Sequence, residues 1–382
     1  MKSLSVLGST GSIGLSTLSV VEAFPDRYRI EALAAGINLE VLRPQITTHR
    51  PSVVAVRHQE DAATLAGDFP GTRFSWGPEG LEEVACADAA HTVVAALVGS
   101  VGLASTLAAI RAGKNVALAN KETLVVAGDV VMAAAADAGV DILPVDSEHN
   151  AIHQALRVGP ADRVKRLILT ASGGPFRTWS AEKIERATLE ETLNHPTWKM
   201  GPKITVDSAT MMNKGLEIIE AHHLFGMPSE AIDVLVHPQS LVHSLVEYVD
   251  GTLMAQLSVN DMRFPIMYAL AWPDRLTSPL PALDLAQVAQ LTFEAPDPIR
   301  FPALRLARQA LEAGGEMPAV MNAANEVVVA ALLEGACGFS DITSTVEGVM
   351  DRWLARNRPL IDLEQALAAD EEARHLAREH LK

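Results

Sequence analysis

The stretch "PVDSEHN" places two carboxylates, Asp146 and Glu148, two residues apart directly after the apolar run "VDILPV". Carboxylates so spaced at a strand end can converge on one hard divalent cation, Mg²⁺ or Mn²⁺. Helix capping before "AIHQAL", by Asp146 or Ser147, explains the same residues. Spacing alone leaves both readings open, and "NKGLEIIEA" offers Glu217 or Glu220 as a third ligand. His149 and His153 lie four apart, a zinc-like spacing, but no HExxH motif accompanies them, so ordinary core or surface imidazoles are preferred.

A second group has the chemistry of a phosphate site. "TASGGPF" carries Ser172 beside two glycines, and "VDSATMMNKG" carries Ser208, Asn213 and Lys214. Hydroxyls, an amide and an ammonium bind phosphate well where they converge; singly, each segment reads as an ordinary turn or helix start. "NHPTWKMGPK", residues 194–203, sets His195, Trp198 and Met200 between prolines, with Gly201 as a hinge. Exposed Trp and Met are costly unless something apolar covers them. A lid closing over a ligand, or a loop packed permanently on its domain, accounts for them equally.

The third group opens the chain. "VLGSTGSIG" spaces Gly8, Gly11 and Gly14 as G-x-x-G-x-x-G after a strand-like run and before a helical one. Backbone N–H groups at such a helix start can cradle a pyrophosphate, with Thr10 and Ser12 adding hydroxyls. NAD enzymes place an acid at the end of the next strand. Here Gly36, Ile37 and Asn38 occupy that region, which favours NADP, although no cation stands there to grip the 2′-phosphate. Arg57 and His58, after "PSVVAV", are the candidates to replace it.

These residues need elements to hold them. Residues 1–149 alternate β-branched runs with helical runs, the pattern of a Rossmann-like, doubly wound parallel sheet. Residues 150–275 read as an α+β catalytic and dimerisation domain with antiparallel strands, including a type I′ hairpin at Asp250-Gly251. Residues 276–299 are proline-rich and read as an extended linker. Residues 300–382 read as a C-terminal helical bundle. The chain has 382 residues, so two or three domains are expected. A net charge of −16 argues against nucleic acid as partner. Cys86 and Cys337 fit no metal spacing and suit reduced thiols. No membrane span or leader is visible, and a cytoplasmic location is expected.

Taken together, "GSTGSIG", "NKETLVVAG", "PVDSEHNAI", "LTASGGPFR", "HPTWKMGPKITVDSATMMNKGLEIIEA" and "HPQSLVHS" resemble the 1-deoxy-D-xylulose 5-phosphate reductoisomerase family. The resemblance runs in order from residue 4 to about 270, and "NAANEV" in the helical end is compatible with it. It implies an NADPH-dependent rearrangement and reduction of 1-deoxy-D-xylulose 5-phosphate to 2-C-methyl-D-erythritol 4-phosphate in isoprenoid precursor synthesis, with a divalent metal and a homodimer. Carried over residue by residue, it implies Asp146, Glu148 and Glu217 as metal ligands and Lys121, Glu148 and Glu217 at the chemistry. It implies Lys121, Ser147, Glu148, Ser172, His195, Trp198, Met200, Ser208, Asn213, Lys214 and Glu217 around substrate. On the NADPH side it implies Thr10, Gly11, Ser12, Ile13, Gly36, Ile37, Asn38, Asn120, Glu122 and Gly201. Ile37 departs from the family, which often has Lys or Arg there. Another NADP-dependent Rossmann reductase, of semialdehyde or homoserine dehydrogenase type, would lack the three carboxylates. A non-enzymatic NADP sensor would need no lid.

Overall fold

A computed structural model describes residues 1–382, which divide into two compact units. The first comprises Met1–Thr123, Val131–Asn150 and Asp261–Pro281; the second comprises Leu124–Val130, Ala151–Asn260 and Ala282–Lys382. The sequence boundaries differ from these. The segment around the helix Arg263–Ala271 belongs to the first unit because Ile266, Met267, Ala269 and Leu270 are buried with Leu4, Val6, Leu18 and Val21.

The first unit is built on seven parallel strands: β1 (Lys2–Leu7), β2 (Tyr28–Ala34), β3 (Val53–Val56), β4 (Arg73–Trp76), β5 (Thr92–Ala95), β6 (Asn115–Leu118) and β7 (Ile142–Pro144). Their order is β4-β3-β2-β1-β5-β6-β7. Chain order reverses beside β1, between β2 and β5, and ligands bind outside the carboxyl ends of strands at such a switch point. The strand cores are continuous apolar runs, as a sheet covered on both faces requires; β3 and β5 are buried at every residue. The sequence reading missed β4, whose "RFSW" is short, polar and half-exposed.

The second unit holds a mixed sheet of β8 (Val164–Ala171), β9 (Ile232–Val236), β10 (Val242–Tyr248) and β11 (Leu253–Leu257), ordered β11-β10-β8-β9. β8 and β9 are parallel; the other pairs are antiparallel. The hairpin forms at Asp250-Gly251, but only Gly251 has a positive φ, +84°. Type I′ needs both central residues positive. The Gly251 N–H instead bonds the Tyr248 carbonyl at 2.9 Å, so Val249 and Asp250 are the central residues of the turn, Gly251 follows them, and the Asp250 carboxylate accepts from the Thr252 N–H at 2.9 Å. The expected linker is not wholly extended: it contains the short helix Leu285–Val288, and Glu294 bridges to Val236.

Four helices follow, Ala303–Ala313, Met317–Leu333, Asp341–Leu354 and Leu363–His380. Met317–Leu333 is apolar nearly all round and lies at their centre. Buried Glu316 ties the loops together by accepting from Trp353 Nε1, Arg358 and Gln365. The helix Met212–Phe225 packs closely on Ala303–Ala313, since a Cβ at Gly215 would lie 2.9 Å from Ala307 Cβ. No helix is long and apolar enough to cross a membrane.

Candidate functional site

The first unit presents a cradle made of backbone. Gly8, at the end of β1, has φ +88°, and a Cβ there would lie 2.6 Å from the Ala96 carbonyl oxygen. Gly14 sits so close to the turn that a Cβ would strike the Gly8 carbonyl and Ser9. Buried Ser9 and Gln45 exchange hydrogen bonds, Ser9 Oγ to Gln45 Oε1 at 2.8 Å and Gln45 Nε2 to the Ser9 carbonyl at 2.9 Å, which fixes the loop. The helix Ser12–Ala23 begins at Gly11 with no side-chain cap and no acid in its first turn. Its N–H groups and positive dipole end are therefore free for an anion. The hydroxyls of Thr10 and Ser12 make no hydrogen bond within the protein, and Ile13 is half-buried behind them. These residues fit a dinucleotide pyrophosphate. Gly36, Ile37 and Asn38 lie exposed just past β2.

Beyond β6 and β7 the same unit turns to charge. Buried Asn120 donates to the Gly99 carbonyl (3.0 Å) and to Glu122 (2.9 Å), and accepts from Thr123 Oγ1 (2.5 Å). Lys121, only 6% exposed, pairs with Asp146 at 2.5 Å. Ser147 Oγ donates to Glu148. His149 is fully buried with Nδ1 4.0 Å from Asp146 Oδ2. The sequence reading set it aside as an ordinary imidazole. The signal was its place three residues after Asp146, which immediately precedes the helix Ser147–Ala155 that carries His149.

The second unit presents a seat made of side chains. Gly173 and Gly174 both have positive φ, +84° and +66°, so the chain turns sharply after β8. A Cβ at Gly174 would lie 2.5 Å from the Ser208 carbonyl oxygen, so this turn lies directly against the helix Pro202–Ala209. Ser172 Oγ is 2.9 Å from His195 Nε2 and accepts from the Gly174 N–H at 3.2 Å. His195 Nδ1 accepts from the N–H groups of Thr197 (3.2 Å) and Trp198 (2.9 Å). An acceptor at Nδ1 leaves the ring proton on Nε2, so neutral His195 donates to Ser172. Burial holds its pKa below the ordinary imidazole value. The Ser208 hydroxyl has no partner within the protein. Trp198 stands over His243, ring centres 6.5 Å apart, and His243 Nε2 is 2.9 Å from Ser258 Oγ. Met200 is half-buried, and exposed Gly201 starts the next helix with open space around it.

One corner later, Met211 takes φ +64°, the left-handed conformation that costs a non-glycine residue free energy. It starts the helix Met212–Phe225, which carries Asn213, Lys214 and Glu217 on one face. Fully buried Glu217 accepts from Asn213 Nδ2 at 2.5 Å and pairs with Lys214. A buried carboxylate held by one ammonium and one amide suits exchange of the ammonium for a hard cation. Two residues the sequence reading missed brace this region. Asp207, 1% exposed, pairs with Lys203 (2.9 Å) and accepts from Asn325 Nδ2 (2.8 Å). Asn325 lies in "NAANEV", so the segment had a polar residue amid an apolar helix as its visible sign.

The chain was compared with known proteins. Residues 4–128 match the family model of 1-deoxy-D-xylulose 5-phosphate reductoisomerase. Residues 142–225 match the model of its C-terminal domain, and residues 257–376 match a further DXP reductoisomerase C-terminal domain. The 1-deoxy-D-xylulose 5-phosphate reductoisomerase of Chlorobaculum tepidum is 55% identical over 381 residues, 99% of each chain. That of Citrifermentans bemidjiense is 53% identical over 383 residues, 100% of this chain and 99% of its own. Among solved structures, a DOX-P reductoisomerase in complex with NADPH, fosmidomycin and magnesium aligns with a TM-score of 0.95 at 42% identity, over 100% of this chain and 98% of its own. The Zymomonas mobilis enzyme in complex with NADPH aligns with a TM-score of 0.93 at 45% identity, over 100% and 99%.

Proposed function

The chain belongs to the 1-deoxy-D-xylulose 5-phosphate reductoisomerase family, and from that premise we propose how its own residues carry the reaction. It is an NADPH- and divalent-metal-dependent oxidoreductase that rearranges 1-deoxy-D-xylulose 5-phosphate and reduces the product to 2-C-methyl-D-erythritol 4-phosphate, in isoprenoid synthesis. The match from end to end carries this conclusion.

The first unit is the NADPH domain. The glycine turn receives the pyrophosphate, with Thr10, Gly11, Ser12 and Ile13 against it, and Gly36, Ile37 and Asn38 beside the adenosine ribose. Asn120 and Glu122, locked to each other, line the nicotinamide side, and Gly201 approaches as the lid closes. The sugar phosphate is gripped by Ser172, His195, Ser208, Asn213 and Lys214; the uncommitted Ser208 hydroxyl and the Nε2–H of His195 are donors a phosphate can accept. Trp198 and Met200 cover the sugar and exclude water from the aldehyde.

Asp146, Glu148 and Glu217 are the metal ligands, an all-oxygen set suited to Mg²⁺ or Mn²⁺. When bound, the cation acts as a Lewis acid toward the substrate's carbonyl and hydroxyl oxygens. Ser147 and Lys121 orient those oxygens; Lys121 is held in place by Asp146 at 2.5 Å. Glu148 and Glu217 act at the chemistry as ligands that would hold the cation against the reacting oxygens, and no single side chain serves as general base. The second unit supplies catalysis and dimerisation, with the exposed edge strand β11 extending toward a second copy. The last four helices close off that unit, and the enzyme works in the cytoplasm.

The test is direct. Incubated with NADPH, Mn²⁺ and 1-deoxy-D-xylulose 5-phosphate, the protein oxidises NADPH, followed by its absorbance. Chelation stops the reaction and Mn²⁺ restores it. Absence of turnover under these conditions would falsify the reading.

A further inference from the structure

We propose that Arg57 holds the adenosine 2′-phosphate of NADPH and sets this enzyme's preference for NADPH over NADH; the inference rests on the cofactor reading above. In a doubly wound sheet the ribose 2′ position lies at the carboxyl end of the second strand. Here that end is Ala35-Gly36-Ile37-Asn38. It has no acid to accept from a 2′-hydroxyl and no cation to pair with a 2′-phosphate. Ile37 is 67% exposed, an apolar side chain that offers no hydrogen bond.

The seven strands deliver few cations to their carboxyl ends. Within three residues of those ends stand only Arg57 and His58, after β3, and Lys121, after β6. Lys121 is buried and paired with Asp146. Arg57 is exposed and makes no hydrogen bond or ion pair through its side chain. Its position is set by the sheet. The Ala35 N–H bonds the Ala55 carbonyl at 2.9 Å, and the Arg57 N–H bonds the Gly36 carbonyl at 3.3 Å. Pairing between β2 and β3 thus runs past both strands and sets Arg57 one strand spacing, about 4.8 Å, from the Gly36-Ile37 backbone. An arginine side chain spans that gap.

The surroundings make this guanidinium decisive. Glu40, Glu60 and Asp61 occupy the first turns of the two helices that start beside it. They repel a phosphate, so a single positive charge there decides its sign of interaction. The one other arginine on these helices, Arg43, is engaged with Asp68 at 2.6 Å. His58 opens the helix Gln59–Asp68 without capping it. Its imidazole lacks the planar, five-donor fork and permanent charge of Arg57, and it contributes less.

Isothermal titration with 2′,5′-ADP and with 5′-AMP, which differ only in the 2′-phosphate, reads this charge without turnover. The wild-type protein binds 2′,5′-ADP more tightly than 5′-AMP; equal binding would overturn the NADPH reading itself. Arg57→Ala weakens 2′,5′-ADP about 10- to 100-fold and leaves 5′-AMP unchanged, the loss expected for a charged hydrogen bond. Arg57→Lys recovers part of the discrimination. His58→Ala changes it by less than about 3-fold, below the strength of one charged contact. A wild-type protein that discriminates alongside an Arg57→Ala protein that discriminates equally well overturns the role of Arg57 alone. Equal loss for both ligands overturns it too, since that marks a disturbed cradle rather than a missing phosphate contact.

Discussion

The glycine cradle after β1 and the serine-histidine seat after β8, both proposed here to receive phosphate, are made of different material. The cradle is backbone: N–H groups at an uncapped helix start, brought close by glycines that have no room for a Cβ. The seat is side chain: Ser172, His195, Ser208, Asn213 and Lys214, assembled from three segments and braced by Asp207 and Asn325. The difference teaches where each is vulnerable. The cradle breaks by addition of atoms and the seat by their removal. The two also differ in charge, since the cradle works with dipoles and the seat with an ammonium and a neutral imidazole.

The largest expected effect lies at Glu217, the buried carboxylate paired with Lys214. Glu217→Gln keeps the shape but removes the charge that faces Lys214, and should lower kcat by more than about 1,000-fold in steady-state assays. NADPH affinity should be unchanged; a parallel loss there would blur the line between the two regions. Next is the cradle. Gly14→Ala, whose methyl meets the Gly8 carbonyl, should weaken NADPH by about 100-fold in fluorescence titration. Gly67→Ala, on the helix Gln59–Asp68 and meeting nothing within 4 Å, should leave it unaltered. Similar losses in both would show that close backbone approach is not what the cradle needs.

His195→Ala should raise the substrate KM about 10- to 100-fold, through loss of the Ser172 contact and of the two lid N–H bonds. Its pH dependence has a definite sign. Burial lowers the pKa from 6.5, so the ring stays neutral through neutral pH. The unfolded chain takes up the proton first, so the stability this latch provides is complete above about pH 6.5 and falls as pH drops toward the lowered value. A proton on Nδ1 would oppose the Thr197 and Trp198 N–H groups. KM should therefore be flat from pH 8 through about 6.5 and rise only as pH falls toward the lowered pKa of the folded ring, a rise absent in His195→Ala. The smallest effect belongs to the brace: Asp207→Asn should raise KM only about 3- to 10-fold, without touching NADPH binding, because it loosens Ser208 rather than removing a phosphate contact.

The two regions were unequally legible before folding. The cradle occupies one short stretch, "GSTGSIG", and the parallel sheet announced itself through repeated buried runs, so strand, turn and helix start were read together. β4 escaped because "RFSW" is neither apolar nor alternating. The Asp250-Gly251 hairpin was readable as a turn, but its central residues depended on the Gly251 N–H bonding the Tyr248 carbonyl. In the seat, residue types suggested phosphate chemistry, but the closeness of Gly174 to Ser208 and of His195 to Ser172 comes only from folding. The pairing of Asp207 with Asn325 was not legible, since 118 residues separate them, although each stands in a segment the resemblance quotes.

By itself the sequence determined the local chemistry: an uncapped glycine turn after a strand, carboxylates at Asp146, Glu148 and Glu217, and donors able to grip a phosphate. Local backbone preference and residue type decide such features within a few positions of one another. Tertiary structure alone decided which of them act together. The tautomer of His195 follows from two N–H groups on the lid and a serine 23 residues away. The neighbour of Ile37 is Arg57 because β2 and β3 pair past their ends. Both are set by the direction of hydrogen bonds between distant segments, and no linear pattern records a direction.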